Sequence, residues 1–148
     1  MAADAPGRVL GLDLGDVRIG VAISDDARRL AVPLGTVQVG RPPGELKAIA
    51  SLVVEHGVTL IVLGLPLSLD GSHGPRAHHA EAFAETLRMM LPVPVAMQDE
   101  RFTTVEAERG LRGSGVKGSD RRSVVDAEAA RIALQAWLDA RRGGASPG

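Results

Sequence analysis

The sequence predicts a three-layer α/β domain built on a mixed sheet, and three observations lead there. The first 39 residues hold three short runs of β-prone residues separated by turn signals. From Glu45 onward, stretches with helical spacing alternate with short apolar runs of strand length. The 148 residues fit one domain, long enough to bury roughly two thirds of its unfolded surface. Meandering strands followed by α-β-α-β-α-α give three antiparallel strands, then two parallel ones, with helices on both faces.

Each element has a local cause. Val9 to Leu14 and Ile19 to Ser24 read as two strands around a Gly15-Asp16 turn signal. Leu30 to Val39 continues the meander, and Pro33 makes it an edge strand. Pro42, Pro43 and Gly44 stop it. A helix is predicted from Glu45 to His56, with Leu46, Ile49, Ala50 and Val53 on one face and Gly57 as its C-cap. Thr59 to Leu63 suits a parallel strand buried on both faces. After the loop Gly64 to Gly71, Pro75 opens a second helix in which Ala80, Phe83, Ala84, Leu87 and Leu91 keep helical spacing, and Pro92 ends it. Val93 to Met97 is the fifth strand. Thr103 and Glu106 fit a capping box for a third helix ending near Gly110 or Gly113. A last helix spans Asp120 to Ala140. Residues 8–142 form the single domain, with residues 1–7 and 143–148 expected as disordered tails.

Composition narrows the setting. Phe83, Phe102 and Trp137 are the only aromatic residues, so the core must be aliphatic. Cys is absent, which excludes disulfides and thiolate metal sites and suits a reducing cytoplasm. Met1 to Gly7 carries Asp4 and has no apolar h-region, unlike a signal peptide. Leu60 to Leu69 is too short for a bilayer and is broken by Gly64 and Pro66, so a soluble protein with no membrane partner is expected. The net charge of −1 argues against a generally basic nucleic-acid binder. Locally the balance differs: from Arg109 to Arg122, five basic residues (Arg109, Arg112, Lys117, Arg121, Arg122) face one acid, Asp120, around a Gly-rich loop. Such a loop can neutralise phosphates, or it can be a solvated surface.

Three acids occupy positions that packing would not choose. Asp13 interrupts an otherwise apolar strand, where an ionised carboxylate costs several kcal/mol, by rough estimate, unless paired or bound to a metal. A structural aspartate capping the turn is the alternative. Glu100 directly follows the fifth strand, and functional groups of open α/β sheets gather at the carboxyl ends of parallel strands. Asp126 shares the apolar face of the last helix with Ala129, Ala130, Ala133 and Trp137. A compact fold can bring these acids to one sheet edge, where a divalent cation would relieve their repulsion. All-oxygen ligands favour Mg²⁺ or Mn²⁺ over Zn²⁺.

Gly11-x-Asp13-x-Gly15-x-x-Arg18-x-Gly20-x-Ala22 resembles the opening signature of the YqgF family, whose fold is RNase H-like. Gly64-Leu65-Pro66-x-x-x-x-Gly71, Asp99-Glu100-Arg101-x-Thr103-Thr104 and Asp126-x-x-Ala129-Ala130 resemble its later motifs, in order, over nearly the whole chain. The resemblance implies a metal-dependent nuclease related to RuvC-type Holliday-junction resolvases, in a family described as processing the precursor of small-subunit (16S) ribosomal RNA in ribosome biogenesis. It aligns Asp13, Glu100 and Asp126 with that site's metal-binding acids. One departure is visible: RuvC-type resolvases place two acids one turn apart on the last helix, and the position one turn before Asp126 is Ser123.

In nucleases of this type two cations about 3.5–4 Å apart activate water and stabilise the leaving oxygen. Asp13 would bridge them, with Glu100 and Asp126 each completing one coordination sphere. Arg18 and Arg101 flank two of the acids and can hold phosphates or pair with neighbouring carboxylates. Lys117 and Arg121 are candidates for backbone contacts. His78 and His79 open a helix with no third partner at metal spacing and read as surface. The expected partner is nucleic acid, either an RNA precursor or branched or single-stranded DNA, and a homodimer stays open. Two other classes compete. A phosphotransferase of the actin and sugar-kinase kind also uses Asp-x-Gly turns but needs two lobes. A catalytically silent nucleic-acid-binding module would have no need of all three acids.

Overall fold

The computed structural model describes residues 7–41, 44–101 and 119–145. Five strands form one sheet: β1 (Arg8–Leu14), β2 (Arg18–Ser24), β3 (Ala31–Gln38), β4 (Val58–Leu65) and β5 (Val95–Asp99). Their order is β3-β2-β1-β4-β5. The pairs β1–β2 and β2–β3 are antiparallel, whereas β1–β4 and β4–β5 are parallel. The helices are α1 (Gly44–His56), α2 (Pro75–Met90) and α3 (Ser119–Ala145).

Side chains of a strand alternate between faces, and the two faces of this sheet are covered differently. Leu10, Leu12, Ile19, Val21, Ile61 and Leu63 pack with Ile49 and Val53 of α1 and with Ala80, Ala84 and Leu87 of α2. Val9, Ala22, Ala31 and Val62 pack with Ala130, Leu134, Trp137 and Leu138 of α3. This is the expected three-layer arrangement. Each fully buried Leu or Ile contributes about 1.5–3 kcal/mol, so the aliphatic core stands without aromatic mass. By the same alternation Asp13, four residues beyond Val9, belongs to the α3 face.

Most element ends lie within one or two residues of the sequence expectation, and two shifts have a visible cause. The fifth strand runs from Val95 to Asp99 rather than from Val93 to Met97. Pro94 has no N–H for the ladder, and its carbonyl accepts the Ile61 N–H at 3.0 Å, so pairing begins there. It continues through the polar Gln98 and Asp99, opposite Gly64 and Leu65. The last helix passes Ala140 and reaches Ala145, taking in residues 143–145 that were expected in the tail. Its final turns are tied down. Arg141 lies over the Trp137 ring at 4.8 Å. Arg142 pairs with Asp139 and donates to the Arg29 carbonyl at 2.7 Å. Gln135 clamps the start of β3 by accepting the Ala31 N–H at 2.8 Å. The third helix expected after Thr103, most of the Gly-rich loop and residues 1–6 lie outside the described residues. No helix among the described residues is long and apolar enough to cross a membrane.

Candidate active site

Among the described residues three polar or charged side chains are buried: Asp13, Ser24 and Glu100. Ser24 has a structural explanation, because its hydroxyl accepts the Val9 N–H and donates to the Asp25 carbonyl, both at 2.9 Å. The two carboxylates sit at one end of the sheet.

Asp13 lies near the carboxyl end of β1, 4% exposed, with Gly20 of β2 directly opposite. Gly20 lets α3 lie against the sheet: a Cβ there would stand 2.0 Å from the Asp126 carbonyl oxygen. Glu100 follows the last residue of β5, and its N–H extends the ladder by donating to the Leu65 carbonyl at 3.1 Å. Its carboxylate lies in the space left by Gly64 of β4, where a Cβ would meet Glu100 Cδ at 2.8 Å. Asp126 comes from α3 with a partly buried side chain. Strands β1, β4 and β5 are mutually parallel, so Asp13 and Glu100 lie at a shared carboxyl end, as topology favours for functional groups, and Asp126 reaches the same cavity from α3. They line one cavity of about 630 Å³.

Arg18 lies at the same cavity, and its Nε donates to Asp126 Oδ2 at 2.9 Å. Of the two roles open to it from sequence, the structure displays that of salt-bridge partner. Arg101 behaves similarly. Its Nε donates to Asp99 Oδ2 and its backbone N–H to Asp99 Oδ1, both at 2.9 Å. The guanidinium hydrogen bond, together with the backbone one and the opposite charge, holds the Asp99 carboxyl below its usual range, and Asp99 in turn raises Arg101. Arg101 also reaches across to Gly71, where a Cβ would meet its Nη1 at 2.9 Å. It ties the end of β5, immediately beside Glu100, to the loop after β4, and it is not part of the cavity lining. Lys117 lies outside the described residues, and Arg121 falls in the first turn of α3.

The cavity has a wall that the sequence reading missed. Arg76 and His79, at the start of α2, line it together with Pro75 and Ala80. His79 is exposed, as its sequence position predicts, and it also lines this cavity. The available signal was the spacing of Arg76 and His79, one helical turn apart directly after the Gly64 to Gly71 loop, which starts at the carboxyl end of β4.

The donor set fits a hard divalent cation. Three carboxylates from three elements supply only oxygen, and Gly20 and Gly64 leave the room that lets them approach. No three Asp, Glu or His side chains among the described residues are already drawn together at metal-holding geometry, and Asp126 is engaged by Arg18.

A family model described as "RuvX: Holliday junction resolvase" matches residues 7–140. A relative from Chloroflexus aggregans, named "Putative pre-16S rRNA nuclease", is 48% identical over 134 residues, covering 90% of this chain and 94% of its own. One from Myxococcus xanthus with the same name is 47% identical over 135 residues, 91% of this chain and 89% of its own. Among solved structures, the fowlpox virus Holliday junction resolvase aligns with a TM-score of 0.53 over 90% of this chain and 99% of that one, at 8% identity. RuvC from T. thermophilus, in complex with a Holliday junction substrate, aligns at 0.50 over 92% and 96%, at 16% identity. At such identities these structures speak to the fold alone, which is RNase H-like as the motif resemblance implied.

Proposed function

The chain belongs to the RuvX family, and from that premise we propose that it is a divalent-metal-dependent nuclease that hydrolyses the phosphodiester backbone of precursor 16S ribosomal RNA in the cytoplasm. The observation that carries this reading is the convergence of Asp13, Glu100 and Asp126 on one cavity at the carboxyl ends of three parallel strands, two of them as buried carboxylates. A fold does not need that charge there.

Asp13, Glu100 and Asp126 would hold Mg²⁺ or Mn²⁺. Such a cation, when bound, activates water and stabilises the charge that develops on the attacking and leaving oxygens. The remaining residues position and bind. Arg18 orients the Asp126 carboxylate and places a guanidinium at the cavity, where a phosphate can compete for it. Arg101 fixes the end of β5, and so the backbone from which Glu100 projects. Lys117 and Arg121 contact the substrate backbone, within the basic stretch from Arg109 to Arg122. RNA is favoured as substrate because the relatives named for pre-16S rRNA are 46–48% identical over about nine tenths of the chain. The family description supports a second reading, resolution of branched DNA.

Purified protein offered single-stranded RNA from the 16S precursor, single-stranded DNA and a four-way junction, with Mg²⁺ and then Mn²⁺, separates these readings. We expect the RNA to be cut at least about tenfold faster than either DNA, a difference of about 1.4 kcal/mol in barrier, with chelator abolishing the cut. Cleavage confined to the junction would replace the RNA reading with the resolvase one. Binding without cleavage of any substrate would leave a silent module.

A further inference from the structure

We propose that Arg76 and His79 form a phosphate subsite that holds the backbone phosphate next to the one cut at the acids. The inference rests on the nuclease reading and adds a binding wall to it. Both side chains line the cavity that holds Asp13, Glu100 and Asp126. They lie three residues apart on α2 and therefore on one side of the helix. The turn that carries them is anchored from beneath, because Ala77 and Ala80 are 0% and 1% exposed and Ala80 joins the core formed with β1, β2 and β4. His73 and His78 approach Glu81 at 3.1 and 3.6 Å. His79 is not drawn into that group, and among the described residues its side chain makes no hydrogen bond or ion pair.

Charge explains why the cavity needs such a wall. Four carboxylates line it (Asp13, Asp16, Glu100 and Asp126), and Arg18 is already placed against one of them at 2.9 Å. A polyanion entering that field is repelled. A divalent cation at the three acids compensates for the phosphate it contacts but leaves the neighbouring phosphate facing carboxylates. Arg76 supplies a fork of fixed donors and His79 a ring N–H, both suited to phosphate oxygens. The chain of a bound nucleic acid would run from the acids across the first turns of α2. Recognition of this kind reads backbone rather than sequence.

The test uses the full chain carrying Asp13→Asn, so that nucleic acid is bound without being cut. Its affinity for single-stranded RNA and for DNA of the same sequence is measured across a salt series, with and without Arg76→Ala/His79→Ala. The double substitution should weaken binding to both by about tenfold and flatten the slope of log affinity against log salt by at least about 0.7. In the cleaving enzyme the same pair should raise KM more than it lowers kcat, and Arg76→Lys should restore the salt slope that Arg76→Ala removes. Unchanged affinity and slope in the double variant, with the parent still binding, would overturn the subsite and leave the nuclease reading standing. If the parent binds neither strand and the wild-type chain cuts nothing, the nuclease reading fails and the subsite fails with it.

Discussion

Asp13→Asn lowers the rate of phosphodiester cleavage by at least about 10³-fold, a loss of about 4 kcal/mol of transition-state stabilisation, while the protein stays folded. The amide keeps the shape of the carboxylate and loses the charge that holds a cation. Asp13 is 4% exposed on the central strand and lines the same cavity as the like-charged Glu100 and Asp126, a repulsion that the amide removes. The variant should therefore melt no lower than the wild-type chain in chelator. Initial rates with Mn²⁺, together with thermal denaturation, check both halves. Near-normal cleavage by this variant would place the active site elsewhere. A structural aspartate capping the turn gives the opposite pattern, with activity retained and stability lost.

Gly20→Ala should damage stability and activity together. The added Cβ would stand 2.0 Å from the Asp126 carbonyl oxygen and 2.6 Å from its carbon, both backbone atoms that cannot swing away. Helix α3 would have to lift from β2, opening the contact that Ala130 and Leu134 make with Val9 and Ala22. Overpacking of this kind costs about 1–3 kcal/mol, which lowers Tm by about 2–10 °C for a chain of this size. The same displacement moves Asp126 from its place in the cavity lining, and a misplacement of about 1 Å costs roughly 10²-fold in rate. Thermal melting and initial rates are again the measurements. Wild-type values of both would mean that α3 does not press on the sheet at this glycine.

Much of this arrangement is legible in the residues themselves. Asp13 stands out because every other residue from Val9 to Leu14 is apolar or Gly, and Asp126 because it occupies the face that Ala129, Ala130, Ala133 and Trp137 use for packing. Both signals come from a polar residue placed against a strong apolar period, which is the most reliable local pattern in a sequence. Glu100 needs topology as well, since its importance depends on β5 being parallel to β1 and β4. The end of β5 is harder to read, because Gln98 and Asp99 belong to the ladder without contributing apolar character. The partner of Arg18 lies 108 residues away, and no local rule reaches that far. Arg76 and His79 are the clearest omission. Periodicity reports which face of α2 is buried, but among polar residues it cannot say which ones look into a cavity.

Asp13, Glu100 and Asp126 are proposed to share one cation-binding site. Calorimetric titration of Mn²⁺ into the wild-type chain and into Asp13→Asn, Glu100→Gln and Asp126→Asn tests it without reference to any substrate. We expect saturable binding by the wild-type chain and affinity at least about tenfold weaker in each variant, because each removes one charged ligand from the shared site. No saturable Mn²⁺ binding by the wild-type chain, or equal binding by all four proteins, would contradict it.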